Sequence, residues 1–261
     1  MINKLKNLIK RTPLIVPFVL IKHALNKKHF SQSNEVQIID RLISRFNVPQ
    51  RFIEFGFSGW EFNCIKIAKE WEGLLIDGCA YNITIANQIF PKKVIAKKMW
   101  LTLDNMDSIL NHFNKKEIGI LSIDVDGNDY WFLKKLIVMN PAIIIIEFNV
   151  SLGLRPISVP YDAAFDRTKK HDSWEYYGAS ISAMHYLCDR HNYSLVEVSQ
   201  NGVNAFFVRN DLFGPDDKKI SISDGYRKKV YPDGSIAPTS DFWQAIKHMP
   251  YVDVTQPDST Y

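Results

Sequence analysis

The sequence predicts an α/β fold of Rossmann-like type: a seven-stranded, mostly parallel sheet closed by a C-terminal antiparallel hairpin. Three stretches carry that prediction. Arg51-Phe-Ile-Glu-Phe-Gly-Phe-Ser-Gly59 is a short apolar run ending in an acid and two glycines three apart, with a helical pattern from Trp60 to Trp71 behind it. Strand, glycine turn and helix form the first unit of a nucleotide-binding sheet, where small residues let a ligand approach backbone amides. Ala142-Ile-Ile-Ile-Ile-Glu147 is nearly all β-branched, as suits a central parallel strand covered on both faces. Gln200-Asn-Gly202 separates the last two strand patterns and reads as a hairpin turn, which sets the final strand antiparallel to its neighbour.

Along the chain, residues 1–34 hold seven Lys or Arg and no acid, and include the apolar run Pro13-Leu-Ile-Val-Pro-Phe-Val-Leu-Ile21. That run is shorter than the about 20 residues a bilayer span needs. It also lacks a small-residue cleavage site before Lys27-Lys28. Residues 1–48 are therefore read as a basic helical arm that packs on the domain or touches an anionic membrane surface. Val36, Ile38, Ile39, Leu42, Ile43 and Phe46 mark a helix that leads through Asn47-Val-Pro-Gln50 into the first strand. Strands are then expected near 52–55, 73–77, 93–97, 119–124, 142–147, 194–199 and 203–208, alternating with helices near 60–70, 82–90, 104–114, 129–138 and 178–191. The main domain is taken as residues 49–212. Residues 213–261, with five prolines and one helical stretch near Asp241 to Lys247, read as an extension or lid.

Composition narrows the function. Cys64, Cys79 and Cys188 are odd in number and lack a C-x-x-C pair, which points to reduced thiols in a cytosol and away from a disulfide frame or a zinc site. The net charge of +4 hides a mildly acidic remainder beyond residue 34, with 25 basic against 28 acidic residues. Nucleic acid is thus a poor partner, because phosphate contacts need clustered Lys and Arg. Self-association is left open.

The chemistry concentrates at strand ends. Asp124, Asp126, Asn128 and Asp129 follow an apolar strand pattern, and buried carboxylates need a cationic or hydrogen-bonding partner. A calcium loop is excluded, because Asp129 and Lys135 stand where Gly and Glu are required. The dinucleotide fingerprint G-x-G-x-x-G is also broken, with Glu54 in place of its first glycine. An acid there suits a cationic ligand better than a pyrophosphate, and S-adenosylmethionine carries an ammonium and a sulfonium but no phosphate. Asp77 ends the second strand about twenty residues after the glycine turn, the usual place for a ribose diol partner. Read alone, Asp124-Val-Asp126 also fits a manganese-dependent glycosyltransferase, and a non-catalytic scaffold of the same fold is a further alternative.

The segments Phe52–Asn63, Trp71–Asp77, Leu121–Trp131, Ile144–Asn149, Tyr177–Ser180 and Asn204–Val208 together resemble the FkbM-type branch of class I methyltransferases, over about residues 50–212. The resemblance implies the class I methyltransferase fold and S-adenosylmethionine as cofactor. It also implies methyl transfer to a hydroxyl of a sugar or surface-polysaccharide intermediate, of capsule or lipopolysaccharide type. Glu54, Gly56, Phe57, Ser58, Gly59, Asn63, Asp77, Met99, Trp100 and Asp124 are the candidate cofactor residues. Glu54 and the amides of residues 57–59 would meet the methionine part, Asp77 the ribose, and Met99 or Trp100 the adenine. A weakly acidic sugar hydroxyl needs a base or a divalent cation. Asp124, Asp126, Glu147 and His171 are the candidate catalytic groups. Asp124, Glu147 and Asn149 form a candidate magnesium triad, although Phe148 separates an acid and an amide that related metal-dependent enzymes place side by side. Tyr161, Trp174, Tyr176 and Tyr177 are aromatic enough to stack on sugar rings or to fill a small core of their own.

Overall fold

In a computed structural model the described residues are 31–114, 116–231 and 233–256. Most of the basic arm, with its apolar run, lies outside them. Among the described residues no helix is long and apolar enough to cross a membrane.

The strands are β1 (Arg51–Phe55), β2 (Glu72–Asp77), β3 (Val94–Lys98), β4 (Ile120–Ile123), β5 (Ile143–Glu147), β6 (Ile157–Ser158), β7 (Tyr193–Val198), β8 (Asn204–Arg209) and β9 (Val252–Asp253). Seven of them form one sheet in the order β3-β2-β1-β4-β5-β8-β7, and β6 pairs with β9 in a separate ribbon. Pairings from β3 through β5 are parallel, whereas β8 runs antiparallel to both β5 and β7. This is the class I methyltransferase arrangement, with its reversal of strand order between β1 and β4. Ligands in such sheets bind outside the carboxyl ends of the strands, at that switch point.

Period-two alternation explains why β5 sits at the centre. Ile144 and Ile146 join a core with Trp131, Leu133, Met184 and Phe207 on one face, while Ile143 and Ile145 join Ile38, Leu42, Ile85 and Phe206 on the other. The first core is covered by the helices Asp129–Leu136 and Ile181–Arg190, and the second by Glu35–Arg45 and Ala80–Ile89. At the hairpin, Gly202 takes φ +70° and its amide donates to the Ser199 carbonyl, so the Asn201-Gly202 turn forms as its sequence requires.

Several elements differ from the expectation. No helix fills 60–70. Both Glu54 carboxylate oxygens accept backbone amides there, from Asn63 at 2.6 Å and Cys64 at 2.9 Å, and Ser58 pairs with Glu61. Amides taken by a side chain from β1 cannot continue a helical ladder, and only Ile67–Lys69 forms a short 3-10 turn. The expected helix over 104–114 shrinks to a 3-10 turn at Leu103–Asn105 and one turn at Asp107–Leu110. The helix expected from 178 starts at Ile181, because Gly178 takes φ +61° and Ser180 Oγ caps by accepting from the Ala183 amide. The β6–β9 ribbon had no signal. Through it and the Thr239–Ile246 helix, the C-terminal extension packs onto the loop after β5, burying Leu152, Val159, Phe165, Tyr176, Tyr177 and Ile246.

Candidate active site

The carboxyl ends of β1, β2, β4 and β5 open into one cavity of about 960 Å³. That is ample for a nucleoside-sized ligand and an acceptor together. Lining it are all ten candidate cofactor residues, with Asp126 and Glu147.

At the β1 end, Gly56 takes φ +70°, and a Cβ there would fall 1.4 Å from the Asp124 carbonyl oxygen. Only glycine lets the chain turn while the ends of β1 and β4 touch, so Gly56 builds the floor between Glu54 and Asp124. Burial pushes the Glu54 carboxyl up to about 6, against the pull of the Cys64 and Asn63 amides. Asn63 also donates from Nδ2 to Ser122 Oγ at 3.1 Å, which ties the turn to β4.

Asn82 is a site residue that the sequence reading missed. Its Oδ1 accepts from the Gly59 amide at 3.0 Å, and its Nδ2 donates to the Phe57 carbonyl at 2.9 Å and to Asp77 Oδ1 at 3.0 Å. Asp77 Oδ1 also accepts from the Cys79 amide at 2.6 Å. One amide side chain therefore locks the loop after β1 to the acid that ends β2. The amides of Gly56, Ser58 and Gly59 already have protein acceptors, namely the Ile76 carbonyl, the Glu61 carbonyl and Asn82. Of the amides of residues 57–59 expected beside the methionine part, those of Ser58 and Gly59 are thus already taken within the protein. Trp100 stands at the rim, half exposed, its indole N–H donating to the Ala163 carbonyl at 2.7 Å.

The acidic end of the cavity gathers Asp124, Asp126 and Glu147, each offering a carboxylate oxygen within 4.8 Å of the others. Asp124 and Glu147 share a side-chain hydrogen bond, and burial, followed by the Glu147 charge, holds the Asp124 carboxyl well above its ordinary range. Glu147 is pushed up to about 8, by burial first and then by Asp126 and Asp129, against the pull of Arg167 and Lys229. Its Oε2 is buried without a hydrogen-bond partner. Asp129 shapes the loop by accepting the amides of Val125 at 2.8 Å and Gly127 at 2.9 Å, which turns Asp126 into the left-handed region at φ +59°.

Arg167 was also missed, since nothing distinguishes it in a polar loop. It pairs with Asp126, donates from Nε to the Trp174 carbonyl at 2.9 Å, and lies with its guanidinium 3.7 Å above the Tyr177 ring. Lys229, from the C-terminal extension, lines the same end, 5.9 Å from that ring.

Two candidates fall outside the site. Asn149 is fully buried with both ends of its amide engaged, Nδ2 donating to the carbonyls of Glu175 and Tyr177 and Oδ1 accepting from Ser151 N, so it does not join the metal triad. Its place beside Asp124 and Glu147 is taken by Asp126. His171 does not line the cavity; its Nδ1 is turned into its own loop against Ser173, and its ring lies 5.9 Å from that of His248. Of the four loop aromatics only Trp174 lines the cavity. Tyr176 and Tyr177 fill the loop's own core, and the Tyr161 hydroxyl accepts from the Leu103 amide at 3.0 Å.

No family model matches the chain, and no curated protein matches it in sequence. Similar solved structures include the N-terminal domain of EvdMO1 in the presence of SAH and D-fucose, at 9% identity and TM-score 0.43 over 67% of this chain and 81% of that one. The same domain with SAH bound gives 12% identity and TM-score 0.44 over 69% and 80%. WbdD in complex with a kinase inhibitor gives 13% identity and TM-score 0.40 over 72% of this chain and 42% of that one.

Proposed function

We propose that the chain is an S-adenosylmethionine-dependent O-methyltransferase of FkbM type whose acceptor is a hydroxyl of a sugar or surface-polysaccharide intermediate. One observation carries this reading: Glu54, Asp77 and Asp124 end three adjacent strands on a single cavity whose far end holds Glu147 with an unpartnered oxygen. The first three carboxylates suit a cationic methyl donor with a ribose diol, and Glu147 suits a group that loses a proton.

Methyl transfer is an in-line displacement, so the protein's task is to align the nucleophile and take its proton. Bound S-adenosylmethionine would be held by Glu54, Asp77 and Asp124 and would supply the electrophilic methyl group, becoming the neutral thioether S-adenosylhomocysteine as the acceptor oxygen takes that group. Glu147 Oε2 receives the hydroxyl proton. A carboxyl held near 8 is matched to this work, because a base titrating close to the working pH combines availability with proton affinity. Arg167 and Asp126 hold the loop that closes this end.

At the acidic end of the cavity Asp124, Asp126 and Glu147 also fit a hard divalent cation, which would be held by oxygen ligands alone. Such an ion, when bound, lowers the pKa of a coordinated hydroxyl.

Calorimetry tests the proposal. S-adenosylhomocysteine is expected to bind saturably and a nucleotide sugar not to bind. Binding of the nucleotide sugar alone would overturn the reading in favour of a glycosyltransferase.

A further inference from the structure

Glu147 ends β5 and Asn204 begins β8, and the two are register partners across the antiparallel ladder. Directly opposed residues in such a pair project from the same face, about 4.5–5.5 Å apart at Cβ. Both line the cavity, and each has one buried oxygen without a hydrogen-bond partner, Glu147 Oε2 and Asn204 Oδ1. Buried acceptors left unpaired cost a fold stability, so two on one cavity wall suit a ligand that brings hydrogen-bond donors.

The direction of the Asn204 amide is fixed chemically. Its Nδ2 donates to Glu35 Oε1 at 3.3 Å, and Glu35 Oε2 is held in turn by the Ser33 amide at 2.7 Å. Reversed, the amide would set its oxygen against a carboxylate, acceptor against acceptor. Glu35 is fully buried, so the first helix of the described chain presents a buried partner that holds Asn204 by its Nδ2 and leaves Oδ1 as the unpartnered end of the amide.

We infer that Asn204 is a specificity-determining residue for an acceptor carrying two adjacent hydroxyls. Glu147 Oε2 faces the hydroxyl that is methylated, and Asn204 Oδ1 accepts a hydrogen bond from its neighbour on the same ring. The inference rests on the methyltransferase reading above. It goes further in requiring a vicinal diol and in naming the residue that reads its second hydroxyl. A site built to hydrogen-bond a hydroxyl rejects the analogue lacking it, because the protein group is then buried unpaired.

The test uses the full chain saturated with S-adenosylhomocysteine and titrated by calorimetry with a panel of methyl hexopyranosides and their monodeoxy counterparts. The wild type is expected to bind at least one glycoside with adjacent hydroxyls. Its affinity for the matching deoxy sugar should be lower by about tenfold or more. Asn204→Ala should bind the pair within about threefold of one another, with affinity for S-adenosylhomocysteine unchanged, because loss of one hydrogen bond removes the discrimination it supplied. Should the alanine form not fold, Asn204→Gln keeps a donor for Glu35 while displacing the carbonyl by a methylene, and the same loss of discrimination is expected. A deoxy penalty that survives in the variant, or no saturable heat from any glycoside with the loaded wild type, overturns the inference while leaving the methyltransferase reading in place. Failure of S-adenosylhomocysteine itself to bind removes that reading instead.

Discussion

Replacing Gly56 by Ala tests whether the meeting of β1 and β4 builds the site. The added Cβ would lie 1.4 Å from the Asp124 carbonyl oxygen and 2.4 Å from its carbonyl carbon, where ordinary contact begins at 3.4 Å. The strand ends must therefore part by about 2 Å, breaking close packing on both sides. Overpacking of this kind costs about 1–3 kcal/mol, and an alanine at φ +70° adds about 1–2 kcal/mol. The total, about 2–5 kcal/mol, corresponds to a fall in Tm of roughly 10 °C for a chain of this size. Gly234→Ala is the internal control: its φ is +82° but nothing lies within 4 Å of the new Cβ, so it measures the conformational cost alone. Thermal denaturation of the two variants, with calorimetry for S-adenosylhomocysteine, separates the contributions. Gly56→Ala should melt well below Gly234→Ala and bind the ligand at least about tenfold more weakly, since small displacements at a site are magnified in function. Equal melting temperatures with unchanged affinity would refute the claim that Gly56 positions Asp124.

Asp77→Ala should weaken binding of S-adenosylhomocysteine about tenfold to a hundredfold, the worth of hydrogen bonds to a charged group, as read by calorimetry. It also removes the acceptor of the Cys79 amide and one of the two acceptors of Asn82 Nδ2, so Asp77→Asn serves to separate loss of charge from loss of shape. With Glu147 held near 8, the methyl-transfer rate at subsaturating acceptor should rise about tenfold per pH unit up to about pH 8, and Glu147→Gln should remove the rise along with most of the activity. Stability carries the opposite sign. A folded-state value above the unfolded one means that the native chain holds a proton the unfolded chain lacks, so stability falls as pH climbs from the ordinary carboxylate range to about 8. Glu54 and Asp129, both near 6, add to the lower part of that fall. Denaturant titrations across this window should show a shallower decline for Glu147→Gln. Asn149→Ala removes three buried hydrogen bonds and should lower stability by about 2–4 kcal/mol in urea, without altering any dependence of activity on magnesium.

The parts legible from sequence were those fixed by local pattern. β5 was readable because an isoleucine run fits only a strand with both faces covered, and the hairpin because Asn201-Gly202 accepts the positive φ that its turn demands. The acidic strand ends Glu54, Asp77 and Asp124 were readable for a related reason: topology sends every parallel strand end to one edge, so register alone placed them together. Residues 60–70 misled because their apolar spacing is helical, while the deciding interaction comes from Glu54, outside the window. Asn82 and Arg167 were invisible because their roles are long-range hydrogen bonds made by ordinary polar residues on elements of no special pattern.

Asn149 and Asn204 show the same limit from two sides. An acid and an amide were sought along β5, where period two puts Glu147 and Asn149 on a shared face only while the strand continues. The strand ends at Glu147, and Asn149 instead caps the turn that follows, spending its amide on the Glu175 and Tyr177 carbonyls. The amide beside Glu147 comes from across the ladder, at Asn204, some sixty residues away in the chain and one rung away in the sheet. On the proposed role of Asn204, pairing of β5 with β8 is a functional constraint as well as a structural one. A slip of one residue in that register would turn Asn204 to the opposite face and replace the oxygen beside Glu147 with a side chain from one of the apolar cores.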